Sequence, residues 1–438
     1  MLLFGTQRIN EAGHLEIGGC DTLKLVAEFG SPLYVLDEEH MRERCASYRK
    51  AFESRLERVE VAFAGKALLC TAICRIVAQE GLALDVCSAG ELYTAQKAGF
   101  PLNHCKFHGN FKSDLEIEMA LQAPVGRIVA DSISELERLS AAAGKLGTTA
   151  EILIRVGPGI KTQTHAFVQT GQQDSKFGIG IAGGCALEAV KLALSLPNIK
   201  VAGVHCHIGS QLFGLESFEK AMDIMIEFLA DVRRECGVTL AELDMGGGLG
   251  ISYTAEDAPP TVDHLADVMC KALQGSCARL DFPLPKLILE PGRSIVGTAG
   301  TTLYTVGPVK DIPGVRTYAA VDGGLSDNPR PAMYDSEYMC VVASDMTAPA
   351  TRMYRVAGKH CETDTLLPET ALAEISEGDI LAVMCTGAYN YAMASNYNRF
   401  PKPAVVAVTG GQADLIVRRQ SLDDVIAQDV IPERLAAG

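Results

Sequence analysis

Eight short apolar runs divide the first two-thirds of the chain, and most of them end in glycine or in a reactive side chain. Stretches with the 3.6-residue periodicity of helices separate most of these runs. Eight strands that alternate with helices are typical of a (β/α)₈ barrel, whose chemistry lies at the C-terminal ends of the strands. The sequence therefore predicts an α/β fold built on such a barrel. The runs are 59–65, 83–88, 105–109, 127–132, 151–157, 201–209, 242–248 and 286–292.

The pattern changes after residue 293, where helical periodicity nearly disappears and β-rich runs are split by Gly, Pro and Asp turns. We therefore predict a barrel domain of residues 31–293, and a β-rich domain of residues 1–30 and 294–438. A polar loop at 161–176 follows the fifth run, where a loop can cover the mouth of a barrel. The helices between the barrel runs are expected at 67–80, 91–98, 115–122, 134–144, 186–195, 217–235 and 262–278, and a further helix before the barrel at 38–52.

Size and charge exclude several classes of protein. The 438 residues exceed the roughly 250 that a barrel needs, which leaves room for a second domain. The net charge of −15 argues against nucleic-acid binding, because phosphate backbones bind basic surfaces. No apolar run is long enough to span a membrane, and the N-terminus lacks the features of a signal peptide. The 14 cysteines have no zinc-binding spacing, so we expect no metal and free thiols in a reducing cytoplasm.

Two ionisable side chains, Lys66 and Asp85, belong to the first two runs or follow them directly. A lysine among apolar residues has a larger neutral fraction, and a neutral amine can form a Schiff base. Taken alone, such a lysine is more often solvated or salt-bridged. Its place at the end of a barrel strand favours a catalytic role.

The ends of the seventh and eighth runs indicate a phosphate site and a ring-binding carboxylate. Backbone N–H groups of Gly246, Gly247 and Gly248 can wrap a phosphate, although glycines also serve tight turns. Barrels often bind phosphate after strands seven and eight, where Arg293 would add a charged fork. Glu290 can hydrogen-bond a ring nitrogen and keep it protonated, or else form an ion pair with Arg293.

Two histidines flank Cys206 in the sixth run. A His-x-His pair can bind zinc, but no further His or Cys cluster supplies the remaining ligands. We therefore interpret His207 as a side chain that stacks on a flat cofactor ring, and His205 as a buried core histidine. A reactive lysine, a phosphate site, a ring-nitrogen carboxylate and a stacking imidazole together indicate pyridoxal 5′-phosphate.

The chain resembles the fold-type III pyridoxal-phosphate decarboxylases, the barrel family that includes ornithine and diaminopimelate decarboxylases. The resemblance covers nearly the whole chain. It implies a barrel with a C-terminal β-rich domain and a homodimer with shared active sites. The segments that carry it, in family order, are 62–67, 85–92, 170–179, 205–211, 245–253, 290–297, 327–334, 359–365 and 387–398.

The resemblance also implies a role for individual residues. Lys66 would carry the cofactor, His207 would stack on its ring, and Glu290 would face its ring nitrogen. Cys361 and Glu362 would reach in from the second subunit, with Cys361 as the proton donor and Glu362 as the group that binds the distal ammonium. The remaining expected cofactor ligands are Asp85, Ser210, Gly246, Gly247, Gly248 and Tyr389, and the remaining expected substrate ligands are Arg293, Arg330, Tyr334 and Tyr389.

The implied reaction is decarboxylation of meso-2,6-diaminopimelate to L-lysine and CO₂, the last step of lysine biosynthesis. Two arginines and a glutamate suit a substrate with a carboxylate and an ammonium at its far end, whereas ornithine lacks the carboxylate. The alternatives are a related decarboxylase of another basic or carrier-linked amino acid, and a catalytically silent homologue. A carrier of pyridoxal phosphate built from the barrel alone is disfavoured by the β-rich region.

One segment departs from the family pattern. Family members usually carry Cys-Glu-Ser-Gly-Asp where this chain has Cys361-Glu362-Thr363-Asp364-Thr365. The exchange of Ser for Thr keeps a hydroxyl group, but the missing glycine is expected to change the turn that places Cys361.

Overall fold

The computed structural model describes residues 2–160 and 175–436. The chain forms two compact units. The barrel unit comprises residues 41–252 and 256–297, and the β-rich unit comprises residues 1–40, 253–255 and 298–438. The loop expected to cover the barrel mouth, 161–176, lies outside the described residues except for its last two.

The barrel unit contains a closed ring of eight parallel strands, which confirms the predicted barrel. Each strand pairs with the next, and Leu287 of the eighth strand pairs with Val59 of the first. Every one of the eight apolar runs forms one of these strands. The strands are Val59–Ala64, Ala83–Val86, Cys105–Phe107, Arg127–Ala130, Ala150–Gly157, Ile199–His205, Glu242–Asp244 and Lys286–Leu289. A two-residue strand, Ile179–Gly180, extends the sheet beside the fifth.

The helices around the barrel begin at residues that can cap them. Side-chain oxygens of Ser88, Ser113, Ser132 and Thr261 each accept a hydrogen bond from a backbone N–H of the first turn. The helices are Glu38–Glu53, Thr71–Gln79, Ala89–Ala98, Asp114–Gln122, Ile133–Leu146, Cys185–Ser195, Glu216–Cys236, Val262–Arg279 and Arg293–Val296, with a 3₁₀ turn at Leu102–His104.

The helix expected at 67–80 differs from the structure. Residues Gly65–Ala67 form a single 3₁₀ turn, and the α-helix begins only at Thr71. Leu68 and Cys70 between them are extended, with φ of −164° and −149°. Lys66 therefore lies on a separate turn between the first strand and its helix.

The β-rich unit contains a three-stranded meander and a mixed sheet. The meander consists of Arg8–Ile9, Leu15–Ile17 and Cys20–Asp21. The sheet contains Leu33–Asp37, Gly300–Ile312, Arg316–Val321, Cys340–Val342, Arg352–Ala357, Thr365–Leu372, Ile380–Val383, Ala404–Thr409 and Gln412–Val417. Helices are Thr22–Phe29, Arg330–Tyr334, Leu422–Ile426 and Glu433–Ala436, and 3₁₀ turns are Tyr391–Met393 and Tyr397–Arg399.

The first strand of this sheet departs from the predicted domain boundary, which placed residue 31 at the start of the barrel. Leu33–Asp37 pairs in antiparallel register with Gly300–Ile312 and in parallel register with Ala404–Thr409. All five of its residues are buried. Because its hydrogen bonds are made to the β-rich sheet, this strand belongs to the β-rich unit although the barrel follows it directly in sequence.

No helix among residues 2–160 and 175–436 is both long enough and apolar enough to cross a bilayer. All fourteen cysteines are unpaired thiols.

Candidate active site

The barrel unit gathers nine of the predicted site residues at or just after the C-terminal ends of its strands. Lys66 follows the first strand on its 3₁₀ turn, where the preceding Gly65 packs against the second strand. A Cβ atom on Gly65 would lie 2.7 Å from the carbonyl oxygen of Asp85, so only glycine allows this approach. Lys66 is exposed, in contrast to the apolar surroundings that its sequence context suggested.

Glu290 is the centre of a buried acid–base cluster. Its Oε1 lies 2.7 Å from Nε2 of His108, and its Oε2 lies 3.1 Å from Nε2 of His205. The two imidazole rings meet edge to face at 5.0 Å. The carboxylate side chain is 9% exposed and the His205 side chain 1% exposed, so these interactions are screened very little by water.

The cluster sets the charge of each member. Burial opposes ionisation of Glu290, but His108 and then His205 bring the pKa of its carboxyl well below the usual range. Burial also opposes protonation of His108, and Glu290 outweighs it and raises the pKa of that imidazole. Burial lowers the pKa of His205 to about 4. Glu290 is therefore an anion at neutral pH, beside a neutral His205 and a His108 whose protonated form it favours.

Two aspartates adjoin this cluster. Burial, and then the charge of Glu290, raises the pKa of Asp85 to about 6 and that of Asp244 well above its usual value. Asp244 accepts a hydrogen bond from the N–H of Gly246 at 2.9 Å. Asp85 lies 3.8 Å from Nε2 of His108. These groups extend the cluster from Glu290 towards the second and seventh strands.

His207 stands beside the cluster in a neutral state. Burial, followed by the charges of Lys66 and Arg155, lowers the pKa of His207 well below its usual value. Its Nδ1 accepts a hydrogen bond from the N–H of Gly247 at 3.3 Å, which leaves the ring proton on Nε2. A neutral imidazole in a fixed orientation is suited to stacking on a flat ring.

The glycine loop after the seventh strand allows no side chains. A Cβ atom at Gly246, Gly247 or Gly248 would lie 2.7, 2.2 or 2.5 Å from neighbouring atoms. The loop is tied to the segment after the sixth strand by Gln211, whose amide bonds both the N–H and the carbonyl of Ile251. The result is a closely packed backbone loop of fixed shape.

Ser210 and Arg293 come together beside this loop. Both Nε and Nη2 of Arg293 donate to Oγ of Ser210, each at 3.2 Å. Arg293 is 5% exposed and begins the short helix Arg293–Val296. The structure therefore brings one predicted substrate ligand into contact with one predicted phosphate ligand.

The β-rich unit brings two further predicted residues, Tyr334 and Tyr389, around Arg330. The Arg330 guanidinium lies over the rings of Tyr334 and Tyr389, at 5.1 and 5.9 Å from their centroids. Its Nε donates to the hydroxyl of Tyr338 at 2.9 Å, and its Nη2 donates to Oγ of Ser336 at 3.1 Å. Arg330 is 7% exposed, so this is a buried cation whose recorded partners are neutral.

Cys361 and Glu362 occupy another place in the same unit, on the loop before strand Thr365–Leu372. Both are exposed. The N–H of Cys361 donates to Oδ1 of Asn398 at 3.1 Å, and the hydroxyl of Tyr397 donates to the carboxylate of Glu362. The site residues therefore form three groups. The barrel set comprises Lys66, Asp85, His108, His205, His207, Ser210, Gly246, Gly247, Gly248, Glu290 and Arg293. The Arg330 set comprises Arg330, Tyr334 and Tyr389, and the Cys361 set comprises Cys361 and Glu362.

The sequence interpretation missed two members of the barrel set. His108 directly follows the third strand, Cys105–Phe107, so the rule that selected the other strand ends would have selected it too. His205 is a buried core histidine, as interpreted, but its contact with Glu290 was not anticipated. Ligand-type atoms of His108, His205 and Glu290 lie within 4.8 Å of one another, a spacing that a metal ion could also use.

The barrel set fits a phosphorylated nitrogen heterocycle. Asp85 Oδ1, His108 Nε2 and Glu290 Oε1 are buried and have no well-aligned hydrogen-bond partner among the described residues. Buried polar atoms normally have such partners, so the cluster suits a ligand that brings an N–H group to an ionised carboxylate. The Ser210–Arg293 pair, beside the glycine loop, offers donors for the phosphate. The N–H groups of Gly246 and Gly247 already donate to Asp244 and His207.

The barrel unit matches a known family. The family model "Pyridoxal-dependent decarboxylase, pyridoxal binding domain" matches residues 38–297. This range begins at the helix before the first barrel strand and ends just after Arg293, so it includes every member of the barrel set.

Similar proteins extend the likeness to nearly the whole chain. The diaminopimelate decarboxylase of Bacillus subtilis (strain 168) is 44% identical over 431 residues, which are 98% of each chain. That of Mycobacterium bovis is 41% identical over 435 residues, 96% of each chain. The crystal structure of diaminopimelate decarboxylase from M. jannaschii with L-lysine superposes with a TM-score of 0.93 at 35% identity, and covers 99% of this chain and 100% of that one.

Proposed function

This chain belongs to the pyridoxal-dependent decarboxylase family, whose cofactor is pyridoxal 5′-phosphate, and we propose that it converts meso-2,6-diaminopimelate to L-lysine and CO₂. This reaction is the last step of lysine biosynthesis. One carbon–carbon bond breaks at the D centre, CO₂ leaves, and one carbon–hydrogen bond forms in its place. The net reaction consumes one proton.

The observation that carries the choice of substrate is the burial of Arg330. No carboxylate of residues 2–160 or 175–436 forms an ion pair with it, and its recorded hydrogen bonds go to the neutral oxygens of Tyr338 and Ser336. A buried charge without a counter-charge is costly, so the site is suited to a ligand that supplies an anion. The distal carboxylate of diaminopimelate is such a group, and ornithine has none.

The barrel set would hold the cofactor. Lys66 is the primary amine that would hold it covalently, and His207 would stack on its ring. Glu290, kept ionised by His108 and His205, would accept the hydrogen bond of the ring N–H. The phosphate ligands would be Ser210, Gly246, Gly247, Gly248 and Tyr389. When bound, pyridoxal phosphate accepts the electron pair that the departing carboxylate leaves behind.

The remaining residues would act on the substrate. Arg330, Tyr334 and Arg293 would bind the distal carboxylate, because two guanidinium groups and a phenol can saturate its lone pairs. Glu362 would bind the distal ammonium. The thiol of Cys361 would deliver the proton to the α carbon from which CO₂ has left.

We propose that the active unit is a homodimer in the cytoplasm. Cys361 and Glu362 are both exposed on the single chain, which leaves them available to a second copy. Fourteen unpaired thiols suit a reducing compartment. Light scattering of the holoenzyme at micromolar concentration would report the mass of the assembly directly.

A substrate panel tests the proposal. The holoenzyme is given meso-diaminopimelate, ornithine, lysine and arginine in parallel, and CO₂ and the amine product are measured. We expect L-lysine from diaminopimelate alone. Turnover of another amino acid only would keep the decarboxylase chemistry and overturn the argument from Arg330. Absence of turnover on all four, with cofactor bound, would favour the carrier-linked or silent alternatives.

A further inference from the structure

The loop that carries Cys361 and Glu362 is closed at its base by one side chain. Asp364 has a φ of 39°, a left-handed conformation that few residues other than Gly, Asn and Asp adopt. The backbone bonds itself across the loop, with the N–H of Gly358 donating to the carbonyl of Asp364 at 2.8 Å. Two residues of the loop, Cys361 and Glu362, lie between these ends and are exposed.

The carboxylate of Asp364 turns into the protein and collects three donors. It accepts from the N–H of Leu325 at 2.7 Å, from the N–H of His360 at 3.1 Å and from Nδ1 of His360 at 2.5 Å. The side chains of Asp364 and His360 are only 3% and 0% exposed. A buried, charged acceptor with three donors forms strong hydrogen bonds. The Asp364 carboxylate therefore holds the backbone at Leu325 and at His360 in place.

The ring of His360 is held on its other side as well. Its Nε2 accepts a hydrogen bond from the N–H of Ser326 at 3.3 Å, so the ring proton is on Nδ1, where it points at Asp364. The ring stacks on Tyr397 at 5.8 Å and meets Phe400 edge-on at 4.9 Å. The same Tyr397 donates to the carboxylate of Glu362.

The space around Asp364 is shaped for it. A Cβ atom on Gly324 or Gly358 would lie 2.2 or 2.0 Å from Oδ2 of Asp364. Neither position therefore accepts a side chain while this carboxylate is present. Two glycines, one histidine and one aspartate form a single arrangement, which we call the clasp (Gly324, Gly358, His360 and Asp364).

We propose that His360 and Asp364 are positioning residues for the reaction: the clasp holds the loop so that Cys361 and Glu362 meet the substrate in a fixed geometry. This inference rests on the proposed roles of Cys361 and Glu362. It also explains the departure from the family's usual sequence at this point. Asp364 takes the left-handed position where a glycine is usual, and its carboxylate supplies contacts that a glycine lacks.

A double-mutant cycle tests whether Asp364 acts through Cys361. The variants are Asp364→Gly, Cys361→Ala and the two combined, all as holoenzymes. Glycine accepts a φ of 39° without strain, so Asp364→Gly removes the carboxylate but keeps the backbone conformation accessible. We expect its kcat/KM for diaminopimelate to fall on the order of 10- to 100-fold, as for a slightly misplaced catalytic group. In the Cys361→Ala background the same change should cost less than about threefold.

Two measurements separate positioning from a general structural defect. Cofactor content and the visible absorbance of the holoenzyme should be unchanged, because the barrel set holds the cofactor. Hydrogen exchange of the peptide over residues 358–364, followed by mass spectrometry, should be faster in Asp364→Gly. The matched control is Asp345→Asn, an exposed aspartate of the same unit that also accepts three hydrogen bonds, and it should change neither readout.

The outcomes are distinct. Unchanged kcat/KM in Asp364→Gly, or an equal loss in both backgrounds, would overturn the positioning role. Unchanged exchange over 358–364 would overturn the clasp itself. Full activity of Cys361→Ala would instead refute the proposed proton donor, and the exchange measurement would still decide whether the clasp orders the loop. If Asp364→Gly does not accumulate, Asp364→Asn replaces it, since an amide presents N–H where His360 also donates.

Discussion

Glu290 in the barrel unit and Arg330 in the β-rich unit are both buried ions, but their surroundings are opposite. Glu290 lies against two imidazoles and favours the protonated form of His108, so its charge has partners inside the chain. Arg330 is surrounded by tyrosines and a serine, and its charge is balanced by no acid of the described residues. The charge of Glu290 therefore has partners before any ligand binds, whereas the charge of Arg330 is neutralised only when an anionic ligand binds.

The two units therefore contribute different functions. A carboxylate with a fixed charge can set the protonation of a ring nitrogen, which is a property of the cofactor and common to many substrates. A guanidinium without a counter-charge selects among substrates, because a ligand that lacks the anion leaves it buried and unpaired.

Removal of the barrel amine should have the largest effect. Lys66→Ala is expected to lower kcat by about 10⁴-fold or more, since Lys66 is the group proposed to hold the cofactor covalently. Decarboxylation measured as CO₂ release, with Lys97→Ala as an exposed-lysine control, checks this, and substantial turnover by Lys66→Ala would refute the assigned role.

Removal of the β-rich cation should affect one substrate selectively. Arg330→Met is expected to lower kcat/KM for diaminopimelate by roughly 100-fold or more, with cofactor content unchanged. Arg330→Lys should recover only part of the loss, because an ammonium cannot make the paired hydrogen bonds of a guanidinium. Unchanged kcat/KM for diaminopimelate in Arg330→Met would contradict the selective role of Arg330.

Mixing two inactive variants tests whether the units act across subunits. Equal amounts of Lys66→Ala and Cys361→Ala protein should regain about a quarter of the native activity, because half of the dimers are mixed and each has one intact site. Mass spectrometry of the intact assemblies must show that exchange has occurred. Fully exchanged dimers without activity would place Lys66 and Cys361 in the same chain's site.

The smallest effect is expected from the imidazoles of Glu290. The folded-state pKa of His108 is raised above its ordinary 6.5, mainly by Glu290 against the effect of burial, so its stabilisation is complete below that value and is lost as pH rises through the folded pKa. The pKa of Glu290 is lowered, so its stabilisation is lost as pH falls through the folded value.

Denaturant unfolding of the cofactor-free protein as a function of pH measures this stabilisation by His108 and Glu290. In His108→Gln the decline in unfolding free energy above pH 6.5 should be weaker than in the native chain. The difference is expected to stay below roughly 3 kcal/mol, the scale of a hydrogen bond to a charged group. Identical pH profiles for both proteins would show that Glu290 does not depend on His108.

The barrel could be predicted from the sequence because its signals are local. Each strand is a short apolar run, and the alternation with helices leaves one closed topology. The same reasoning places Lys66, Gly246 and Glu290, since the end of a parallel strand identifies its position in the fold. His108 was omitted although it follows the same rule.

The β-rich unit was less predictable because its pairings are not local. Leu33–Asp37 looks like a lead-in to the barrel, and only its partners more than 260 residues away reveal its sheet. Arg330, Cys361 and Glu362 lie on loops and short helices, so their identification came from family resemblance. The clasp depends on a left-handed aspartate and on contacts with Gly324 and Leu325, which no periodicity indicates.

The place of Leu33–Asp37 in the sheet also constrains how the chain is made. Its two partners begin at Gly300 and Ala404, so the ribosome releases this strand long before either exists. At about 5–20 residues per second, its edges stay unpaired for roughly 15 to 75 s. During that time all eight barrel strands are synthesised beside an apolar segment with open backbone edges, which other nascent chains can also pair with. A chain translated from an mRNA truncated before codon 404 lacks strand Ala404–Thr409, so that edge of Leu33–Asp37 remains unpaired.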